Sequence, residues 1–219
     1  MSDARKIARA LMCESVERGD PFGWFETLYS QANYSPGAIQ WADQVVNPHL
    51  QRWLAQHPDG KGRALDVGCG LGDNAAALAA AGYSATAFDV SPTAVAWAQR
   101  RFKTLSISWE VANAIDLPSS WKEAFDLVVE VYTLQVLPPA ERRLAMKSLA
   151  STVASRGTLL VVCRGREDFE PPGDMPWPLT FKDLQYLEEV GLSMETFEEL
   201  VDDEVPPIRR FVVTYRRNP

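Results

Sequence analysis

The chemistry of this chain gathers in one short stretch, Asp66-Val67-Gly68-Cys69-Gly70-Leu71-Gly72-Asp73, where an apolar run gives way to an alanine-rich one. Three glycines at alternate positions leave the backbone bare, so a ligand can lie directly against main chain. The helix that follows turns the positive end of its dipole toward that ligand. A second acid, Asp89, ends the next apolar run 21 residues after Gly68. In open α/β sheets an acid at this place accepts the two ribose hydroxyls of an adenosine. Glu130 closes a third run, Phe125-Asp126-Leu127-Val128-Val129.

Charge narrows the kind of adenosine. A dinucleotide fingerprint G-x-G-x-x-G begun at Gly68 needs its third glycine at position 73, where Asp73 stands. An acid at a helix N-terminus repels a pyrophosphate and suits a cation. Asp66, Asp73, Asp89 and Glu130 together predict an acidic crevice. S-adenosylmethionine, with a sulfonium, an α-ammonium and no phosphate, matches it better than NAD. An NAD-dependent oxidoreductase and a non-catalytic S-adenosylmethionine-binding protein stand as alternatives.

The elements that hold these residues read as alternating strands and helices from Arg63 onward, which predicts an α/β domain with a mainly parallel sheet. Strands are expected at 64–67, 84–89, 105–111, 125–131 and 158–163, with two more near 195–201 and 210–216. Helices are expected at 74–81, from the Ser91 cap and Pro92 to Phe102, at 138–152 and at 180–190. The first sixty residues differ. An amphipathic helix is expected from Ala4 to Arg18, with Ile7, Leu11 and Met12 or Cys13 on its apolar side, ended by Gly19-Asp20-Pro21. A non-periodic aromatic segment follows from Phe22 to Tyr34, and a second helix runs from Asn47 to Gln56. So much aromatic surface needs covering, so residues 1–60 are expected to form a lid over a globular domain of residues 61–219.

Composition excludes several classes. The 219 residues are 46% hydrophobic and 23% charged, the balance of a globular protein rather than a disordered or fibrous one. With 29 acids against 22 bases and a net charge of −7, a nucleic-acid partner is disfavoured, since phosphate binding needs a basic face. Cys13, Cys69 and Cys163 are odd in number and far apart, with no C-x-x-C pair, which suits a reducing cytoplasm rather than disulfides or a metal site. The charged N-terminus does not read as a signal peptide, and no run is apolar for long enough to span a membrane. Nothing here distinguishes monomer from dimer.

Residues 63–163 resemble a class I S-adenosylmethionine-dependent methyltransferase. Leu65-Asp66-Val67-Gly68-Cys69-Gly70-Leu71-Gly72 is similar to that family's first motif and Phe88-Asp89-Val90-Ser91-Pro92 to its second. Ala112-Asn113-Ala114 is similar to the third, with Asn113 where an Asp is usual, and Phe125 to Glu130 to the fourth. The resemblance implies a Rossmann-like, seven-stranded, mainly parallel sheet flanked by helices, its last strand antiparallel. It also implies S-adenosyl-L-methionine as cofactor and S-adenosyl-L-homocysteine as product. Gly68, Cys69, Gly70 and Gly72 would hold the methionine part, Asp66 its ammonium and Asp89 with Val90 the ribose. Asp73 and Asn74 would edge the pocket, Asn113 and Ala114 would flank the adenine, and Glu130 with Val131 would lie beside the transferable methyl. Trp41-Ala42-Asp43 with Asn47-Pro48-His49-Leu50 and Trp53 looks like the N-terminal element of the thiopurine, halide and tellurite branch, which would put Trp41 against the methionine part.

No catalytic group is assigned by the sequence. Glu130, Tyr132, Arg164 and Trp177 are the candidates nearest an acceptor, each with a plainer reading as a solvated strand-end acid, a core or lid aromatic, or a solvated base. Asp126 reads as a strand-orienting residue. With no histidine at a strand end, an acceptor that ionises unaided is the economical expectation: a small molecule with a thiolate, selenide or telluride, or a halide.

Overall fold

The computed structural model of the chain describes residues 3–202 and 204–219. Along the chain run α1 (Asp3–Glu17), α2 (Gly23–Ala32), α3 (Pro48–Gln56), β1 (Arg63–Val67), α4 (Asp73–Ala80), β2 (Ser84–Asp89), α5 (Pro92–Arg101) and β3 (Ile107–Val111). Then come β4 (Phe125–Val131), α6 (Pro139–Thr152), β5 (Val153–Arg164), α7 (Phe181–Glu189), β6 (Leu192–Val201) and β7 (Arg209–Arg217). The seven strands lie in the order β3-β2-β1-β4-β5-β7-β6. The pairs β1–β4, β2–β3 and β4–β5 are parallel, while β7 runs antiparallel to both β5 and β6. This is the mainly parallel sheet that the strand–helix alternation predicts, with the seven strands and antiparallel last strand that the resemblance implies. None of the helices among the described residues is long and apolar enough to cross a membrane.

The chain packs as two compact units. One comprises the residues up to Gly60 and Gly68–Asn113, the other Lys61–Val67 and Ala114–Pro219. In the first unit the aromatic segment, expected to be non-periodic, is helix α2. Its buried Trp24, Leu28, Tyr29 and Ala32 recur at helical spacing, a periodicity hidden in sequence because Phe25 sits beside Trp24 on the same stretch. Among the described side chains of α1, Ala8 and Ser15 are buried and Leu11 and Met12 half-buried, whereas Ile7 is 51% exposed and Cys13 is exposed. The small face goes inward there, so the expected apolar side is only partly the packed one. α3 starts as its sequence dictates, with Asn47 Oδ1 accepting from the His49 and Leu50 amides and Pro48 in the first turn.

A side chain that carries no sequence signal ties the N-terminal helices to the rest of this unit. Glu26 of α2 accepts from Ser91 Oγ at 2.6 Å, Thr93 N at 3.1 Å and Thr93 Oγ1 at 2.6 Å, at the head of α5. Burial raises its pKa, but these bonds outweigh it, and the carboxyl titrates below its usual value. Glu26→Ala should therefore cost roughly 1–3 kcal/mol in urea unfolding, and Glu26→Gln, which keeps an acceptor, less; equal stability of all three would show the contact to be idle.

In the second unit Asp126 Oδ2 accepts from Arg63 N at 2.8 Å and so sets the start of β1, the orienting role expected of it. A Cβ at Gly62, where φ is +90°, would come 2.1 Å from that same oxygen, so the turn requires glycine twice over. β4 is buried at Phe125, Leu127, Val128 and Val129, as a strand covered on both faces should be. β5 begins at Val153 rather than Thr158, with Arg156 at φ +59° bending its early part, and α7 is capped by Thr180 and Asp183 reciprocally.

Candidate functional site

The glycine loop belongs to the first unit. Gly68, Gly70 and Gly72 have φ of +59°, +50° and +86°, a left-handed backbone that other residues adopt only at a cost. At Gly72 there is also no room: a Cβ would lie 2.6 Å from the Trp109 ring. Cys69 N donates to Phe88 O at 2.8 Å, which joins the loop to the end of β2, and Cys69 itself is half-buried. Asp89 then reaches back. Its Oδ2 accepts from Gly70 N at 3.0 Å and its Oδ1 from Ser91 N at 2.9 Å. Burial pushes the Asp89 carboxyl up to about 6, against the amides of Ser91, Gly70 and Val90, which favour its charge.

Above Gly70 lies an aromatic cover. A Cβ at Gly70 would stand 2.9 Å from Tyr29 Oη and 4.0 Å from Trp41 Nε1, and Trp41 Nε1 donates to Tyr29 Oη at 2.9 Å. Trp41 packs edge-on against Trp24, Phe25 and Tyr29. Tyr29 is fully buried; burial, then the charge of Asp89, raises its phenol well above the ordinary range, so it stays a neutral O–H. The sequence reading singled out Trp41 but missed Tyr29, whose signal was only its place one helical turn after Phe25.

Two loop-edge residues are engaged elsewhere. Asp73 is paired with Arg101 of α5 through bonds of 2.6 and 2.8 Å, and the same guanidinium donates to Leu71 O at 2.6 Å. Its charge is thus answered inside the protein by Arg101, so Asp73 does not add to the acidic crevice that the sequence predicts. Asn74 Oδ1 accepts from Asn47 N at 3.0 Å and anchors the start of α3 on the start of α4. Val90 and Asn113 are half-buried, just past the ends of β2 and β3.

The second unit carries the other candidates. Asp66 is 1% exposed in β1, beside Val129, and Ala114 is buried and Val131 half-buried. Glu130 is wholly buried. Its Oε1 accepts from Thr133 N at 2.7 Å and Leu134 N at 2.8 Å, which folds the chain sharply after β4, while its Oε2 has no hydrogen-bond partner. Burial pushes this carboxyl up to about 7, against the two amides and the Arg142 charge. The next turn is strained: Tyr132 has φ +66°.

Around that turn the structure collects the other acceptor-side candidates. Gln135, absent from the sequence reading, accepts from Arg164 N through its side chain at 2.7 Å and from Trp177 N through its carbonyl at 2.7 Å. The Arg210 guanidinium lies over the Tyr132 ring, 4.8 Å from its centre. Arg166, by contrast, donates to the carbonyls of Pro178, Glu167 and Glu170 and serves the loop.

Comparison with known proteins agrees with this architecture. Residues 64–157 match the family model described as a methyltransferase domain. Human glycine N-methyltransferase is 31% identical over 140 residues, which cover 56% of this chain and 47% of that protein, so the chain spans about half the length of the curated relative it matches. Among solved structures, the N-methyltransferase NodS of Bradyrhizobium japonicum WM9, in complex with S-adenosyl-L-homocysteine, superposes with a TM-score of 0.69 at 20% identity, covering 89% of this chain and 100% of that one. The 1,6-didemethyltoxoflavin-N1-methyltransferase of Burkholderia thailandensis, with 1,6-didemethyltoxoflavin and S-adenosylhomocysteine bound, gives a TM-score of 0.69 at 16% identity over 89% of this chain and 88% of that one. At these identities the structural likenesses establish the fold. Residues 64–157 are thus similar to a methyltransferase domain, carried on a seven-stranded sheet of order β3-β2-β1-β4-β5-β7-β6.

Proposed function

We propose that the chain binds S-adenosyl-L-methionine at the glycine loop and moves its methyl group to a small-molecule acceptor, with S-adenosyl-L-homocysteine as the other product. The observation that carries this reading is Asp89, a buried carboxylate held by the Gly70 amide inside a loop whose three glycines are left-handed. The donor set fits the group: a carboxylate for two ribose hydroxyls, and bare backbone at Gly70 where a Cβ would meet Tyr29.

When bound, S-adenosylmethionine supplies a methyl on a sulfonium whose departure needs no acid. The chain therefore has to bind, align and keep water out, which are proximity effects. Asp89 and Val90 hold the ribose, Gly68, Cys69, Gly70 and Gly72 the methionine part, Asp66 its ammonium, and Asn113 and Ala114 the adenine. Asp73 and Asn74 shape the loop from behind through Arg101 and Asn47. Residues 1–60 serve as the lid, with Tyr29 and Trp41 its working face. Glu130, Val131, Tyr132, Arg164 and Trp177 serve the acceptor end. His49 lies in the first turn of α3, and His57 caps its end, stacked on Trp53 at 4.0 Å. This supports an acceptor that ionises unaided, a thiolate, selenide, telluride or halide.

Two measurements test the reading. Calorimetry should show micromolar-range binding of S-adenosylmethionine and none of NAD; the reverse would make the protein an oxidoreductase. A panel of thiols, iodide, tellurite, amines and phenols with radiolabelled methyl should then show transfer, and binding without turnover on any of them would favour the non-catalytic alternative.

A further inference from the structure

Arg164, the last residue of β5, and Arg210, near the start of β7, are direct cross-strand partners in the antiparallel pair. Two like charges facing each other in this way repel and destabilise the sheet unless an anion lies with them. Here an anion does. Glu204 is paired with Arg210 Nη2 and lies 4.0 Å from Arg164 Nη2. Arg210 is 6% exposed in its side chain and Arg164 18%, whereas Glu204 is 44% exposed and is followed by Val205, 97% exposed.

The two acids that meet Arg210 are built differently. Asp202 is a fixed partner: its Oδ2 accepts from Arg210 Nε at 2.7 Å while its Oδ1 holds the amides of Glu204 and Ile208. Glu204 reaches in from a solvent-facing position. Beside this pair lie the Tyr132 ring under Arg210 and, through Gln135, the backbone of Trp177. The place is the carboxyl edge of β4 and β5, where open α/β sheets take their ligands.

We infer that Arg164 and Arg210 form the subsite for a carboxylate on the methyl acceptor, and that the Glu204 carboxylate occupies it until the acceptor displaces it. The exchange leaves the charge count unchanged, one carboxylate replacing another between the same two guanidinium groups. Acceptors bearing a carboxylate are thereby selected over their neutral amides. This rests on the methyltransferase reading for the word acceptor; the anion site itself does not.

The test uses phenylacetate and phenylacetamide as probes, titrated by calorimetry into the full-length protein. Phenylacetate should bind the wild type, and Glu204→Gln, which removes the internal competitor's charge, should bind it at least about fivefold more tightly, with phenylacetamide unaffected. Adding Arg164→Gln to that variant should abolish the gain. Equal phenylacetate affinity in wild type and Glu204→Gln, no binding to either, or an equal gain for the amide would each overturn the subsite. S-adenosylmethionine titrated into the same three proteins reads the proposed function separately: its failure would leave an anion site in a protein of another activity, and its success alongside a phenylacetate failure would refute only the subsite.

Discussion

Asp89→Ala should weaken S-adenosylmethionine by well over tenfold, measured by calorimetry at pH 7.5. A carboxylate that accepts two hydroxyl protons makes two charge-assisted bonds, each typically about 1.5–3 kcal/mol when the alternative is an unsatisfied group. The substitution also strips Gly70 N of its acceptor, so loop order and ribose contact are lost together. Asp89→Asn separates them, because an amide oxygen still accepts from Gly70 N while the charge is gone. Its NH2 cannot accept from Ser91 N, so it should lose most of the affinity with a smaller fall in unfolding midpoint than Asp89→Ala. The pH profile supplies a second check. With the Asp89 carboxyl at about 6, it is ionised above that pH and neutral below it. Affinity should therefore fall as pH drops below about 6, approaching tenfold per unit, and the Asn variant should lack this dependence. Unchanged affinity in Asp89→Ala would end the ribose assignment.

The strand framework and the glycine motif were legible because both are local. Strand ends at Val67, Asp89 and Val131 follow from apolar runs bounded by turn residues, and the left-handed turns at 68, 70 and 72 admit little besides glycine. What stayed hidden depends on long-range pairing. Asp73 looks like a free acid until Arg101, 28 residues later, is brought onto it, and Glu26 looks like any surface glutamate until Ser91 and Thr93 arrive 65 and 67 residues further on. Tyr29 and Gln135 do nothing in their own segments that their spacing betrays. Charge counting from sequence thus overstates how acidic the glycine loop is, because it cannot see which acids are already paired. The same blindness hid Glu204 between Arg164 and Arg210, the first of which reads in sequence as a solvated base.

Glu130→Gln should remove a pH dependence of stability worth about 3 kcal/mol. The wild-type carboxyl is raised from 4.5 to about 7, burial outweighing the amides of Leu134 and Thr133 and the Arg142 charge. Between those two pH values the unfolded chain has released this proton and the folded protein keeps it, so ν_U is below ν_N and stability falls as pH rises. The contribution is fully present below about pH 4.5, declines through the window and is gone above about 7; the span of 2.5 units corresponds to the stated ~3 kcal/mol at 1.36 kcal/mol per unit. Other groups titrate in the same range, Asp89 among them with the same sign, so a single protein's profile would not isolate Glu130. The difference between wild type and Glu130→Gln does, because every other group cancels. Gln keeps an oxygen for the Thr133 and Leu134 amides, so the turn after β4 survives, and its absolute stability need not match the wild type for the slope to be read. Urea midpoints of both proteins from pH 4.5 to 8 should diverge steadily across the window and run parallel above it. Parallel curves throughout would mean that Glu130 is ionised well below neutrality, and that the charge of Arg142 reaches its second oxygen more strongly than burial opposes it.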